Sequence, residues 1–208
     1  MSNTAPIELL QAHSLRNLYF TRTAVQLIWA GIVLGTAAGN PALAAGLLVL
    51  YPLWDVACTV YDLRSSTRSG PSTAQYVNVV LGSLAAIGIS VTAFKSPQQA
   101  VVIFGAWALT AGLAQLAIGI RRRKQLGGQW AMILSGTQSA AAGVAFILGG
   151  LHDKTHIKDL GGYAVFGGVY FLIAGFLMHR KLSQGSRSVA AVAKIGRASC
   201  RERVCYAV

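Results

Sequence analysis

The chain has 208 residues, of which 54% are hydrophobic and only 12% are charged, and its mean hydropathy is +0.53. This composition excludes an ordinary soluble domain, because one core could not bury so much apolar surface, and it indicates a protein partly surrounded by lipid. The net charge of +12 is typical of some nucleic-acid-binding proteins, but here Lys and Arg flank apolar runs instead of lining a polar face. We therefore expect no nucleic-acid partner, and we expect the basic residues to contact anionic lipid headgroups.

Residues 1–22 precede the first apolar run. Ile7, Leu10 and Leu18, with Pro6 near the start, suit a short helix lying in the membrane interface. A frayed polar tail is an equally good interpretation. Either way we expect a cytoplasmic or interfacial segment that is separate from the membrane domain.

Six apolar runs follow, each close to the roughly 20 residues that a transmembrane helix needs. Glycine and proline place tight turns at residues 39–41 and 95–97. We predict an all-α bundle of six transmembrane helices over residues 23–181, a single membrane domain. Its helices should form three hairpins, over residues 23–61, 76–120 and 128–178.

The three hairpins resemble one unit used three times. Basic residues that end the second helix of each hairpin, Arg64, Arg121 and Arg180, lie 57 and 59 residues apart, and a fixed period of this kind indicates internal repetition. In addition, the segment FGAWALTAG at 104–112 resembles GGVYFLIAG at 167–175. The first hairpin lacks the matching glycines.

The distribution of Lys and Arg predicts the orientation. Before residue 195, twelve lie on the side of the two termini, and three lie on the other, namely Lys95, Lys154 and Lys158. By the positive-inside rule both termini should be cytoplasmic. We expect a multi-pass protein of the bacterial inner (cytoplasmic) membrane.

The last part of the chain is expected to be a disordered tail, over residues 182–208. Within it, residues 195–204 read IGRASCRERV, which resembles the translation of a DNA sequencing adapter, so residues 195–208 are interpreted as an artefact. The alternative is a basic juxtamembrane tail. Without residues 195–208, Cys58 is the only cysteine, and a disulfide within one chain is excluded.

Small residues are frequent inside the predicted spans. They let helix backbones approach closely, which is the main attraction between helices in lipid. A role as hinges or as a pore lining is the alternative, and a homo-oligomer is also open. The glycines expected at helix contacts are Gly31, Gly35, Gly105, Gly112, Gly136, Gly143, Gly168 and Gly175.

Asp55 is the residue in the spans that most requires an explanation. A carboxylate near the middle of a span costs about 2.5 to 3.5 kcal/mol on insertion scales. It is either a site for a proton or a polar substrate, or a structural group hydrogen-bonded to a neighbouring helix. We expect no second acid, His or basic residue inside the spans to pair with it. Uncharged polar residues such as Gln26, Asn78 and Thr59 are interpreted as interhelical hydrogen-bond partners that form no common site.

Outside the spans, His152 and His156 lie in the loop of residues 151–159. They are candidate pH sensors, since an imidazole can change its charge within the physiological range. No third strong ligand accompanies them, so we predict no metal site. The sequence contains no phosphate-binding loop, metalloprotease motif or nucleophile elbow. We expect no catalytic residue, no cofactor and no enzyme.

Two segments carry a family resemblance. RRRKQLGGQWAMILSGTQSAAAG at 121–143 and GIVLGTAAGNPALAAGLLVLYPLWDVA at 31–57 resemble the HdeD-like membrane proteins, with a basic stop before a small-residue helix and an Asn-Pro turn before a late acidic residue. The resemblance covers residues 20–182. It implies a six-helix inner-membrane protein of unknown molecular activity, in a family linked in some enterobacteria to acid resistance.

Three functional hypotheses follow. The first is a non-enzymatic protein of the HdeD-like type, acting in acid or envelope stress. The second is a small proton- or solute-coupled transporter or channel component that uses Asp55. The third is a scaffold subunit of a larger membrane complex.

Overall fold

The computed structural model describes residues 5–65, 73–126 and 130–205, with side chains for residues 12–65, 75–121 and 130–184. These ranges contain helices and turns and no strand. Parts of three predicted regions lie outside the described residues. They are the start of the N-terminal segment, the end of the tail, and residues 66–72 between the second and third spans. The helices are α1 (Ala5–Thr36), α2 (Pro41–Ser65), α3 (Thr73–Thr92), α4 (Pro97–Leu126), α5 (Trp130–Leu151) and α6 (Leu160–Cys205), with a 3-10 helix (Ile157–Asp159) before α6.

Each of the six helices contains a segment that is long and apolar enough to cross a membrane. Large apolar side chains point away from the bundle, among them Ile28, Leu84, Ile87 and Val91, as expected of a surface in contact with lipid. The predicted all-α bundle of six spans is confirmed. The chain is a multi-pass membrane protein.

The helices follow one another around a closed ring. Each contacts the next along the chain, and α6 returns to contact α1. α1, α3 and α5 begin at one end of the ring, where α2 and α4 finish and where Arg64, Arg121 and Arg180 lie. We call this the basic end. The tight turns lie at the opposite end.

The turn between α1 and α2 shows why the chain reverses so sharply. The Asn40 side-chain oxygen accepts a hydrogen bond from the Leu43 amide at 3.0 Å, which caps the start of α2. Pro41 occupies the first position of the helix, where its missing amide hydrogen is not needed. Pro97 begins α4 in the same way.

For residues 1–22 we expected an interfacial helix or a frayed tail, and from Ala5 onward they form the first part of one continuous helix, α1. Its first half packs against α6: Phe20 meets Phe176 edge-on at 5.5 Å between ring centroids. Thr23 is buried and donates a hydrogen bond to the Gly168 carbonyl at 3.2 Å. The part of α1 that is long and apolar enough to cross a membrane, Ala12–Thr36, includes residues before the predicted start at residue 23.

The tail also differs from the expectation. Where we predicted disorder from residue 182, the backbone of α6 stays helical as far as Cys205. Residues 189–194 read VAAVAK, and Ala and Lys have high helix propensity, so this stretch continues a helix readily. The interpretation of residues 195–208 as an artefact stays a prediction.

α4 and α5 pack closely against each other at glycine positions. A side chain at Gly105 would lie 2.8 Å from the Gly143 carbonyl oxygen, and one at Gly112 would lie 2.8 Å from the Gly136 carbonyl oxygen. The reverse contacts are equally close. Two backbones can approach to this distance only where neither carries a side chain. The second helix of one hairpin thus packs tightly on the first helix of the next.

Glycines of α6 lie against side chains of α1, whereas the two glycines of α1 contact no other helix. Gly168 lies against Leu27, and Gly175 lies against Phe20. Gly31 and Gly35, which we predicted at a helix contact, are exposed, and a Cβ atom added at either position would meet nothing within 4 Å. They lie on the outer face of α1, because its inner face is occupied by Trp29 and Val33.

Substituting these two sets of glycines should have opposite effects. Gly143→Ala places a methyl group against the Leu109 amide and 2.7 Å from the Gly105 carbonyl oxygen, so we expect the free energy of unfolding to fall by about 1–3 kcal/mol. Gly31→Ala meets nothing and should leave stability unchanged or raise it. Thermal unfolding of both purified variants in detergent measures the difference, and equal effects would contradict this packing.

Candidate functional site: a polar cavity inside the ring

A cavity of about 110 Å³ lies inside the ring and is lined by side chains from all six helices. Along α2 its lining runs from Asp62, near the basic end, to Tyr51. These residues are separated by about 16 Å at the helical rise of 1.5 Å per residue. The cavity lining therefore extends over about half the distance that a helix needs to cross a hydrocarbon core about 30 Å thick.

Asp55 lies in the wall of this cavity and forms an ion pair with Arg22 of α1. Both side chains are largely buried, at 14% and 12% exposure. Our expectation that no basic residue inside the spans would pair with Asp55 was wrong. That expectation rested on a first span beginning at residue 23, whereas Arg22 lies within the continuous helix α1 and its largely buried side chain lines the cavity.

Asn78 of α3 completes the surroundings of the carboxylate. Its side-chain nitrogen donates to Asp55 Oδ2 at 2.7 Å and to Thr59 Oγ1 at 3.0 Å. Thr59 in turn donates to the Asp55 backbone carbonyl at 2.9 Å. Each carboxylate oxygen thus accepts a hydrogen bond, Oδ1 from Arg22 and Oδ2 from Asn78. The cluster ties α1, α2 and α3 together.

The Arg22 guanidinium has a second neighbour. Its central carbon lies 4.3 Å from the centroid of the Phe171 ring of α6, a distance at which a cation is attracted to an aromatic face. The carboxylate and the ring together hold Arg22 at the cavity wall. Asp55 and Phe171 therefore fix it from two different helices.

Several polar atoms of the cavity lining are buried without a hydrogen-bond partner. Within the described part of the chain these are Arg22 Nε, Gln26 Oε1, Asn78 Oδ1 and Trp107 Nε1. A buried polar atom left unpaired costs about 1–3 kcal/mol, so each of these atoms requires an explanation. Gln26, Asn78 and Thr59, which we expected to form no common site, all line this cavity, and Asn78 is an interhelical hydrogen-bond partner as expected.

Aromatic residues close the inner end of the cavity. Tyr51 lies 5.9 Å from Trp107 and 6.2 Å from Tyr163 between ring centroids. Phe104, Trp29 and Phe146 pack behind them, in contact with Tyr51 or Tyr163. We call these six residues the aromatic floor. Tyr163 is held in place by a 2.6 Å hydrogen bond between its hydroxyl and that of Ser139.

Sequence reasoning missed the aromatic floor, although a signal was present. Tyr51, Trp107 and Tyr163 lie 56 residues apart in each case, one in the second helix of each hairpin. This interval is close to the period of the basic residues. A search for aromatic residues at the repeat interval would have found all three.

The two loop histidines lie at the opposite end of the ring from the basic end. His152 is exposed, and His156 Nδ1 lies 3.9 Å from Asp159 Oδ2, with both side chains well exposed. The described residues contain no group of three metal-ligating side chains. The role of the histidines as pH sensors stays a prediction.

Comparison with models of known families, with curated proteins and with solved structures finds no match for this chain. The resemblance to the HdeD-like proteins stays a prediction.

Removing one charge of the buried pair should be far more harmful than removing both. Asp55→Asn leaves Arg22 without a counter-charge, and we expect stability to fall by about 3–5 kcal/mol. Adding Arg22→Met removes the unpaired cation, so the double variant should recover most of the loss. Thermal unfolding in detergent tests this.

Asp153→Asn is the control for that experiment, because Asp153 is exposed in the loop after α5. It makes the same chemical change without touching a buried charge and should leave the unfolding midpoint unchanged. A double variant as unstable as Asp55→Asn would show that the ion pair does not dominate the stability of this site.

Proposed function

We propose that this chain is a small transporter, or a component of one, that admits a polar solute to the central cavity, with Arg22 and Asp55 as its polar site. This is the second of the three hypotheses drawn from the sequence. The observation that carries it is a buried ion pair in the wall of a cavity to which all six helices contribute.

The energetics of the bilayer support a functional interpretation of this pair. Charged side chains within membrane spans are costly, and they commonly mark the pathways of substrates or ions. A purely structural link between α1 and α2 would need neither charge nor an adjoining cavity, since a hydrogen bond between uncharged groups connects helices at less cost. Arg22 and Asp55 instead line a space bordered by Gln26, Gln115 and Gln138.

The shape of the cavity also suits transport. Its lining extends along α2 from Asp62, near the basic end, to Tyr51 of the aromatic floor. In this proposal a solute enters from the basic end and meets a barrier at the aromatic floor. Many transporters bind substrate near the bilayer midplane between repeated units and open to each side in turn. In this proposal the aromatic floor is a gate. Its rings must move apart before a solute can pass from the cavity to the end of the ring opposite the basic end.

A role in acid or envelope stress and a scaffold role stay predictions from the sequence. No particular contact among the described residues supports either role. The absence of enzymatic activity is likewise an expectation. Transport is preferred because it accounts for the ion pair, the cavity and the aromatic floor together.

We further propose that the chain lies in a bacterial inner membrane with both termini in the cytoplasm, as its charge distribution predicts. The basic end would then face the cytoplasm, and the cavity would be accessible from there. Anionic headgroups would lie near Arg64, Arg121 and Arg180, which are all exposed.

Topology can be tested with a green fluorescent protein fused after Lys194. We expect fluorescence, because this fusion partner folds in the cytoplasm, while alkaline phosphatase fused at the same position should be inactive. A phosphatase fused after Asp153, in the loop at the opposite end, is the matched control and should be active. The reverse pattern would contradict the orientation.

Transport can be tested by light scattering of proteoliposomes exposed to gradients of acetamide, glycine or sodium acetate. We expect at least one solute to enter faster than into protein-free liposomes. The double variant Arg22→Met with Asp55→Asn should abolish the difference, whereas Asp153→Asn should retain it. The proposal fails if no solute enters faster, or if the double variant transports like the unmodified protein.

A further inference from the structure

We propose that a groove on the outer side of α1 and α2 binds one acyl chain of an anionic phospholipid, whose headgroup lies at Arg64. The groove has a volume of about 470 Å³. Its evidence is an apolar lining, a narrow floor and a basic residue beyond one end. The site is independent of the proposed transport, because it lies on the lipid-facing surface of the ring.

The lining of the groove is hydrophobic. Apart from Gln26, it consists of aliphatic and aromatic side chains. Its walls include Ile28, Leu50 and Leu53, which are 63%, 56% and 42% exposed, so the groove opens towards the surrounding lipid. The hydrocarbon core of a bilayer holds no water to fill it, and an empty groove would deprive its lining of van der Waals contacts. Hydrocarbon is therefore the chemistry that suits this site.

The length of the groove matches one leaflet of a bilayer. Along α2 its lining runs from Leu47 to Ala57, which are separated by about 15 Å at the helical rise of 1.5 Å per residue. Two leaflets share a hydrocarbon core about 30 Å thick. A single acyl chain from one leaflet can thus extend along the whole groove.

The floor of the groove favours a lipid chain over a helix from a second copy. α1 and α2 contact each other there, because Trp29 Nε1 donates a hydrogen bond to the Leu47 carbonyl at 2.7 Å. The rings of Trp29 and Tyr51 also lie 4.6 Å apart between centroids. A helix with its side chains is about 10–12 Å wide and would rest on the rim of a furrow between two touching helices. A flexible acyl chain can reach the floor.

Arg64 provides the contact for the headgroup. It lies on the same face of α2 as Ala57, two helical turns further towards the basic end, and therefore about 10 Å beyond the groove. Between them, Tyr61 connects α2 to α1 through a 3.0 Å hydrogen bond between its hydroxyl and that of Ser14. The Arg64 side chain is exposed and forms no ion pair with any residue that the structure describes. An arginine at this position attracts a lipid with a negatively charged headgroup.

The groove and the central cavity share two lining residues, Gln26 and Tyr51. Both are largely buried, at 5% and 6% exposure. A chain bound in the groove covers their lipid-facing side. The bound lipid in this way completes the wall of the cavity between α1 and α2.

The test is native mass spectrometry of the full chain, released from mild detergent after incubation with phosphatidylglycerol or phosphatidylcholine. These lipids carry the same acyl chains and differ in headgroup charge. We expect one phosphatidylglycerol to be retained per chain, and phosphatidylcholine to be retained about fivefold less, the effect of one basic residue on an anionic lipid.

Ala57→Phe fills the groove from an exposed position and should abolish retention of both lipids. Ala106→Phe makes the same change at an exposed position of α4, outside the groove, and should have no effect. The thermal unfolding midpoint of each variant reports separately whether it folds.

Arg64→Gln should lower retention of phosphatidylglycerol to the level of phosphatidylcholine. Arg180→Gln removes a charge from another exposed arginine at the basic end and should leave the preference intact. Loss of the preference in both variants, or in neither, overturns the assignment of the headgroup to Arg64.

Equal lipid retention by the Ala57→Phe and Ala106→Phe variants overturns the groove as the binding site. The same spectra report the oligomeric state. A dimer without retained lipid that Ala57→Phe converts to a monomer would show that a second copy occupies the groove, and it would overturn the proposal. Solute entry is not measured in this experiment, so failure of the transport proposal leaves the lipid site standing.

Discussion

An arginine and an aspartate can remain together inside a membrane only if each neutralises the other and neither faces lipid. The pair formed by Arg22 and Asp55 meets both conditions, because the ring of helices surrounds it and further contacts hold each partner. The arrangement of four of the six helices is consistent with this need to enclose the pair. α1, α2, α3 and α6 each supply a residue to the cluster, so their relative positions are fixed by the need to enclose two charges.

Close packing on the far side of the ring complements this polar link. α4 and α5 contact each other through backbone at two glycine pairs, Gly105 with Gly143 and Gly112 with Gly136. No charge and few hydrogen bonds are needed there, since van der Waals contact between smooth helix surfaces is sufficient in lipid. The ring therefore has a polar half that surrounds the cluster and a tightly packed half that supports it. A cavity remains between them.

The aromatic floor gives the cavity a definite depth. Tyr51, Trp107 and Tyr163 come from three different helices at equal intervals along the chain. Large rings fill the centre of a six-helix ring where shorter side chains would leave an open channel. These three residues also line the cavity, so in the proposed function they form the surface against which a bound solute would rest.

The sequence by itself determined the class of protein, the six spans, their tight turns and the importance of Asp55, because hydropathy, proline and a lone carboxylate are local signals. It did not determine the site. Arg22 was excluded because the first span was predicted to begin one residue after it, and Asn78, Gln26 and Trp107 are far apart along the chain. Only the closure of the ring brings them to one cavity, and only the packing of α1 on α6 decides that Gly31 and Gly35 face outward. These features depend on how each helix is rotated about its own axis relative to its neighbours. An apolar sequence restricts that rotation very little, because lipid and the interior of a helical bundle favour the same side chains.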